Sequence, residues 1–250
     1  MTGTGDNAPL SLPAVVAALE REGLRLCGGF TPDDADDVPV VARGRRARSL
    51  LLVGNAGPAM WRRFQAAMPA GPDPLDQWTR TVVTEIAHRC DATPVFVFDT
   101  PPRPFQRWAV KAEGCHFSPL GLLIHPRFGL WHALRAALLF DRDLGVRPSP
   151  TSPSPCEDCR EKPCLATCPA RAFRAGGYDV PACVRHLETT GGEDCMSEGC
   201  RARRACPVGA EHLYDPAQAA FHMQAFRTAM GPFSRAQEQM TQNVFSDKDS

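Results

Sequence analysis

The segment CEDCREKPCLATCP, residues 156–169, sets four cysteines within thirteen positions and closes the run with proline. A second group follows at Cys183, Cys195, Cys200 and Cys206, and it also ends in cysteine-proline, at Pro207. Eight of the eleven cysteines lie in this stretch, and the odd total argues against a complete disulfide framework. The opening MTGTGDNAPLSLPAVVAALE lacks the charged-then-apolar layout of a secretory leader, so the expected compartment is the reducing cytoplasm, where clustered thiols serve as metal ligands. RRARSLLLVGNAGPA, from Arg45, superficially resembles an export signal but sits deep in the chain and reads as a buried strand. No apolar run approaches the roughly 18 residues of a membrane helix, and no membrane partner is expected.

The chain before the cysteines mixes two periodicities. SLPAVVAALEREGL has helical spacing, while RSLLLVGN and TPVFVFD are short apolar runs ending in turn residues, as buried strands do. GPAMWRRFQAAM and DPLDQWTRTVVTEIAHRC read as helices, the second with Asp73 as its cap and Pro74 in its first turn. PPRPFQRWAVKAE adds another short helix. PLGLLIHPRFGLWHALRAALLF then places strand-like ends around a polar, glycine-containing middle, where a site is expected. RPSPTSPSP, residues 147–155, is an extended linker. The part after it, to about residue 213, is too poor in large apolar residues to fold well unaided, which suits a metal-dependent module. The domain plan is therefore 1–146, a linker 147–155, a module 156–232 with a closing helix, and a tail 233–250. Lys+Arg and Asp+Glu both total 28, a balance that gives no support for nucleic-acid binding, and none is expected.

The cysteine run resembles that of bacterial ferredoxins, CxxCxxCxxxCP, with a middle gap two residues longer: CxxCxxxxCxxxCP at Cys156, Cys159, Cys164 and Cys168. In that pattern the cysteine before proline reaches across to the other cluster. Carried over, it assigns Cys156, Cys159, Cys164 and Cys206 to one [4Fe-4S] cluster and Cys168, Cys183, Cys195 and Cys200 to the other. Zinc, or one cluster beside an altered site, remains an alternative, because CxxC also opens zinc sites. Cys27 and Cys90 close apolar stretches and read as buried structural thiols; Cys115, beside His116, reads as either structural or functional.

GPAMWRRF, DPLDQW and above all IHPRFGLWHALRAALLF resemble cobalamin-processing proteins of the CblC type, in order over about residues 24–145. That resemblance implies a flavin-reductase-like, nitroreductase-related α+β domain that binds a corrinoid, with flavin a second possible occupant. The module behind it, including CVRHLETTGGEDC, is similar to the two-cluster, ferredoxin-like part of epoxyqueuosine reductases and corrinoid reductive dehalogenases. Together these imply an oxidoreductase whose two clusters take electrons from a ferredoxin or flavodoxin and pass them to bound cobalamin. The chemistry implied is decyanation, dealkylation or a Co(I)-based reduction. The alternatives are a ferredoxin-like carrier without corrinoid, or a corrinoid reductase of one organic substrate related to epoxyqueuosine reductase.

The resemblance singles out His125, Gly129, Trp131 and Arg135 as corrinoid contacts, since glycine permits close approach and tryptophan offers a flat face. His116 joins them as a pocket wall or cobalt ligand. Each has a plainer role open to it, in a turn, the core or an ion pair. No catalytic acid is assigned. The remaining histidines, His132 among them, read as ordinary polar residues. ARGRRAR, residues 42–48, reads as a solvated loop, and RARR, residues 201–204, as positive charge between proposed ligands. NAGPAM lacks the lysine of a phosphate loop.

Overall fold

In the computed structural model, which describes residues 11–41, 44–174 and 177–246, the chain divides into two units. One, the sheet unit, takes the chain up to His116 and resumes with His132–Pro153; the other, the cysteine-rich unit, takes Phe117–Trp131 and the chain from Ser154 onward. The segment carrying His125, Gly129 and Trp131 thus groups with the cysteines, whereas the sequence plan had it inside 1–146. Ala42 and Arg43 of the basic run lie outside the described residues, as do 1–10 and 247–250.

The elements up to the linker are α1 (Leu12–Arg21), β1 (Arg25–Phe30), β2 (Ser49–Ala56), α2 (Ala59–Ala66), α3 (Pro74–Arg89), β3 (Thr93–Phe96), α4 (Phe105–Glu113), β4 (His116–Phe117), β5 (Leu123–Ile124) and β6 (His132–Phe140). Four strands form an antiparallel sheet in the order β1-β2-β6-β3. β2 lies inside it, and Leu50 to Val53 are fully buried. Burial of each such side chain contributes about 1.5–3 kcal/mol. β1 was not legible as a strand because RLCGGF is interrupted by two glycines. Its register shifts between Leu26 and Gly29, and Gly28 takes a positive φ of 72°. Asp73 precedes α3 as expected but does not cap it with its carboxylate. It is left-handed (φ 48°), and its carbonyl accepts from Asp76 and Gln77 N–H at 3.0 and 3.1 Å.

The cysteine-rich unit is built from short pieces: α5 (Pro163–Ala166), β7 (Phe173–Arg174), β8 (Gly177–Tyr178), α6 (Val180–Leu187), α7 (Glu193–Glu198) and α8 (Arg201–Arg204), followed by the long α9 (Pro216–Ser246). Helices of four to eight residues are not stable alone and need tertiary or metal contacts. α6 and α7 pack on α9. α9 continues through Pro232 to Ser246, where the sequence suggested a tail from 233. Pro232 removes one N–H from the helix, but the alanine, glutamine and methionine on either side favour helix enough to carry it past. The whole is an α+β chain with small antiparallel sheets, the class expected. Among the described residues no helix is long and apolar enough to cross a membrane.

Candidate metal centre

Six of the eight clustered cysteines lie on or just beside short helices, and Cys156 and Cys159 lie in the turn that precedes α5. Cys164 lies on α5 and Cys168 just beyond it; Cys200 caps α8 and Cys206 follows it. α5 and α8 pack together, so each offers a thiol at either end. Cys183 lies on α6 and Cys195 on α7.

Mutual electrostatics divides the thiols into two fours. Burial raises the Cys164 thiol, and the charges that further oppose its ionisation come from Cys206, Cys156 and Cys159. Burial likewise raises Cys156, with Cys206 and Cys159 adding to it. Burial pushes Cys183 up to about 11, opposed by the Tyr178 hydroxyl hydrogen bond and reinforced by Cys200, Cys168 and Cys195. Cys200 is raised by burial and then by Cys195 and Cys168. The groups are Cys156, Cys159, Cys164, Cys206 and Cys168, Cys183, Cys195, Cys200, each including one cysteine-proline thiol from the other run.

The first four line an apolar recess with Pro119, Ile124, Pro155, Pro163, Pro207, Val208 and the stem of Lys162. Lys162 Nζ donates to the carbonyls of Cys156 and Cys159, at 2.7 and 2.9 Å, which ties the CxxC loop closed. Leu120, Ile124, Leu130 and Ala202 form the apolar cluster behind, and Cys156, Cys168 and Cys200 pack against it, so the two groups share a wall.

Backbone N–H groups point at sulfur in both groups. Leu165 N–H meets Cys164, and Ala202 and Arg203 N–H meet Cys200. Ala172 N donates to Cys168 Sγ at 3.4 Å. Such donors stabilise sulfur carrying negative charge, as a metal-bound thiolate does. Four thiols per group, N–H groups at the sulfurs and an apolar wall fit iron-sulfur clusters.

The other expected residues have specific protein surroundings. His125 Nδ1 accepts from Arg127 and Phe128 N–H at 2.9 and 3.1 Å, which builds its turn. Gly129 (φ 56°) makes the close approach that its lack of a side chain permits, but to protein: a Cβ there would meet Val208 O at 1.8 Å. Gly209 reciprocates, since its Cβ would meet Phe128 C at 2.4 Å. Trp131, 2% exposed, stands edge-on to Tyr214 at 5.4 Å with the Arg203 guanidinium 4.5 Å above it. These contacts seat the 117–131 hairpin directly behind Cys206 and Pro207. In the sheet unit, Arg135 is buried and donates to Asn55 Oδ1 at 3.0 Å, and half-buried His116 opens β4.

Within RARR the charge is locally engaged. Arg201 and Arg204 pair with Asp194, whose carboxyl the Arg201 hydrogen bond holds below its usual range, and Arg203 Nε donates to Leu130 O at 3.0 Å. Sequence reading missed Tyr178 and Lys162. The lysine sits within the first cysteine run, and that spacing was the available signal; Tyr178 had none.

No protein-family model matches the chain, and no curated protein matches it. The chain is similar to solved epoxyqueuosine reductases. One, bound to an epoxyqueuosine-modified tRNA-Tyr stem loop, is 15% identical with a TM-score of 0.47, covering 82% of this chain and 69% of that one. The enzyme from Streptococcus thermophilus is 13% identical with a TM-score of 0.47 and the same coverage. A selenomethionine-labelled epoxyqueuosine reductase is 16% identical, TM-score 0.43, covering 69% and 54%. The expectation of no nucleic-acid partner for this chain rests on net charge alone.

Proposed function

We propose that the chain is an iron-sulfur oxidoreductase. Its cysteine-rich unit holds two [4Fe-4S] clusters, on Cys156, Cys159, Cys164 and Cys206 and on Cys168, Cys183, Cys195 and Cys200. It accepts electrons from a ferredoxin- or flavodoxin-type donor and delivers them singly to an acceptor. The observation that supports this most is the recess lined by Cys156, Cys159, Cys164 and Cys206, where the cysteine-proline thiol of the second run completes the first.

Such clusters supply one-electron transfer at potentials set by ligand charge, hydrogen bonds and solvent access. The chain's own residues act on each of these. The prolines and Ile124 give the first group an apolar lining, Lys162 fixes its loop, and the N–H groups of α8 together with the Tyr178 hydroxyl donate to the second. The shared wall holds the groups side by side in one unit. Gly129, Trp131 and Arg135, expected to meet a corrinoid, make close contacts within the protein instead, which gives decyanation or dealkylation of cobalamin no support. The iron-sulfur relay reduces an acceptor.

The test is a set of four alanine variants, at Cys156, Cys206, Cys168 and Cys200, reconstituted anaerobically and compared by iron content and electron paramagnetic resonance. Each should keep about four of about eight irons. The Cys156 and Cys206 variants should share one residual signal, and the Cys168 and Cys200 variants the other. Pairing of Cys206 with Cys200 instead would show that each run holds its own cluster.

A further inference from the structure

The sheet unit carries a second group of metal-ligand side chains. Donor atoms of Glu113, Cys115 and His132 lie within 4.8 Å of one another. All three are shielded from water: the side chain of Glu113 is 6% exposed, Cys115 is 0% and His132 8%. We propose that Glu113, Cys115 and His132 form a binding site for one divalent ion of zinc type, separate from the eight clustered cysteines.

Three local features bring the donors together. α4 ends at Glu113, and Gly114 in the left-handed region (φ 67°) reverses the chain so that Cys115 follows at once. The last turn of α4 lies directly on β1, since a Cβ at Gly28 would meet Ala112 O at 2.2 Å. His132 begins β6, opposite Ala56 of β2. The Glu113 carboxylate is divided between two neighbours: Oε1 pairs with Arg25, while Oε2 faces Cys115 Sγ at 4.0 Å. Arg25 also donates to Cys27 Sγ at 3.1 Å, so its guanidinium is shared between that thiol and Oε1.

The donor set selects the ion. One thiolate, one imidazole and one carboxylate suit zinc, whereas calcium and magnesium require mostly oxygen. Three protein ligands leave a fourth position for water or another donor. Bonds of about 2.0–2.3 Å place neighbouring zinc ligands roughly 3.5 Å apart, so the side chains need to close by about 1 Å. A thiolate and a carboxylate offset the two charges of the ion, and with Arg25 on Oε1 the buried group carries one net positive charge, which an anionic fourth ligand such as hydroxide would cancel.

The experiment uses the full chain, purified anaerobically, exposed to zinc and then equilibrated with a chelator of micromolar affinity. About one zinc per chain should remain with the iron and sulfide content unchanged, and its absorption edge should show one sulfur with nitrogen and oxygen neighbours. No retained zinc, or a shell of four sulfurs drawn from the clustered cysteines, overturns the site. His132→Gln should lower retained zinc at least tenfold without altering iron. Should that variant not fold, the absorption spectrum of the unaltered chain decides alone. Because iron and zinc are counted separately, loss of this site is distinguishable from loss of the proposed clusters.

Discussion

Cys27 and Cys90, at 1% and 0% exposure, are buried singly in the sheet unit, and burial raises both thiols. Cys156, Cys159, Cys168, Cys183 and Cys200 of the other unit keep part of their surface and lie on short helices and turns with N–H groups at hand. The residue type is the same, and the surroundings decide its use. A single thiol in an apolar core stays protonated and packs as a small hydrophobe. Four thiols brought together oppose one another's ionisation, and a bound cation relieves that repulsion. On the proposed function, the cysteine-rich unit therefore depends on bound clusters in a way that the sheet unit, with its continuous leucine core, does not.

The sharpest way to break this contrast is to remove the iron. Chelation under reducing conditions should unfold most of the cysteine-rich unit, whose shorter helices lack stability of their own, and leave the four-stranded sheet folded. Hydrogen exchange should show protection lost across α5 to α8 and retained in β2 and β6. Equal loss in both would remove the distinction.

A smaller effect is expected at the glycine pair. Gly129→Ala forces a Cβ against Val208 O at a backbone position of positive φ and should cost the cysteine-rich unit about 3 kcal/mol. Denaturation followed by cluster absorbance would read it, and an unchanged midpoint would mean that the hairpin is not seated behind Cys206.

Tyr178→Phe should be milder still. It removes a hydrogen bond to Cys183 and should make one cluster harder to reduce, leaving the other unchanged, as followed by a redox titration.

The least effect concerns Cys90, whose thiol burial pushes up to about 11 from an ordinary 9.0. The folded state holds this proton more tightly than the unfolded one. The resulting stability is intact below about pH 9 and is lost as pH rises through the folded value. Cys90→Ala should flatten that alkaline decline in the sheet unit, measured by denaturant midpoints across the range.

The eight clustered cysteines were legible because each run is local in sequence; their crossed grouping was implied by the ferredoxin resemblance and belongs to the proposal. The buried strands β2 and β3 were legible for the same reason, as apolar runs between turn residues. What was not legible depends on contacts distant in sequence. HPRFG is joined to the cysteine-rich unit by Gly129 against Val208 and Gly209, about 80 positions away, and no pattern in either segment announces the other. The Glu113, Cys115 and His132 group depends on the reversal at Gly114 and on strand register. The helix beyond Pro232 was hidden because proline ordinarily ends one.

The most direct measurement of the central claim is an anaerobic count of iron and acid-labile sulfide per chain, with the Mössbauer spectrum of the same sample. About eight of each, in two cubane signals, is the predicted result. Iron near four, or zinc in place of iron with no sulfide, would contradict it.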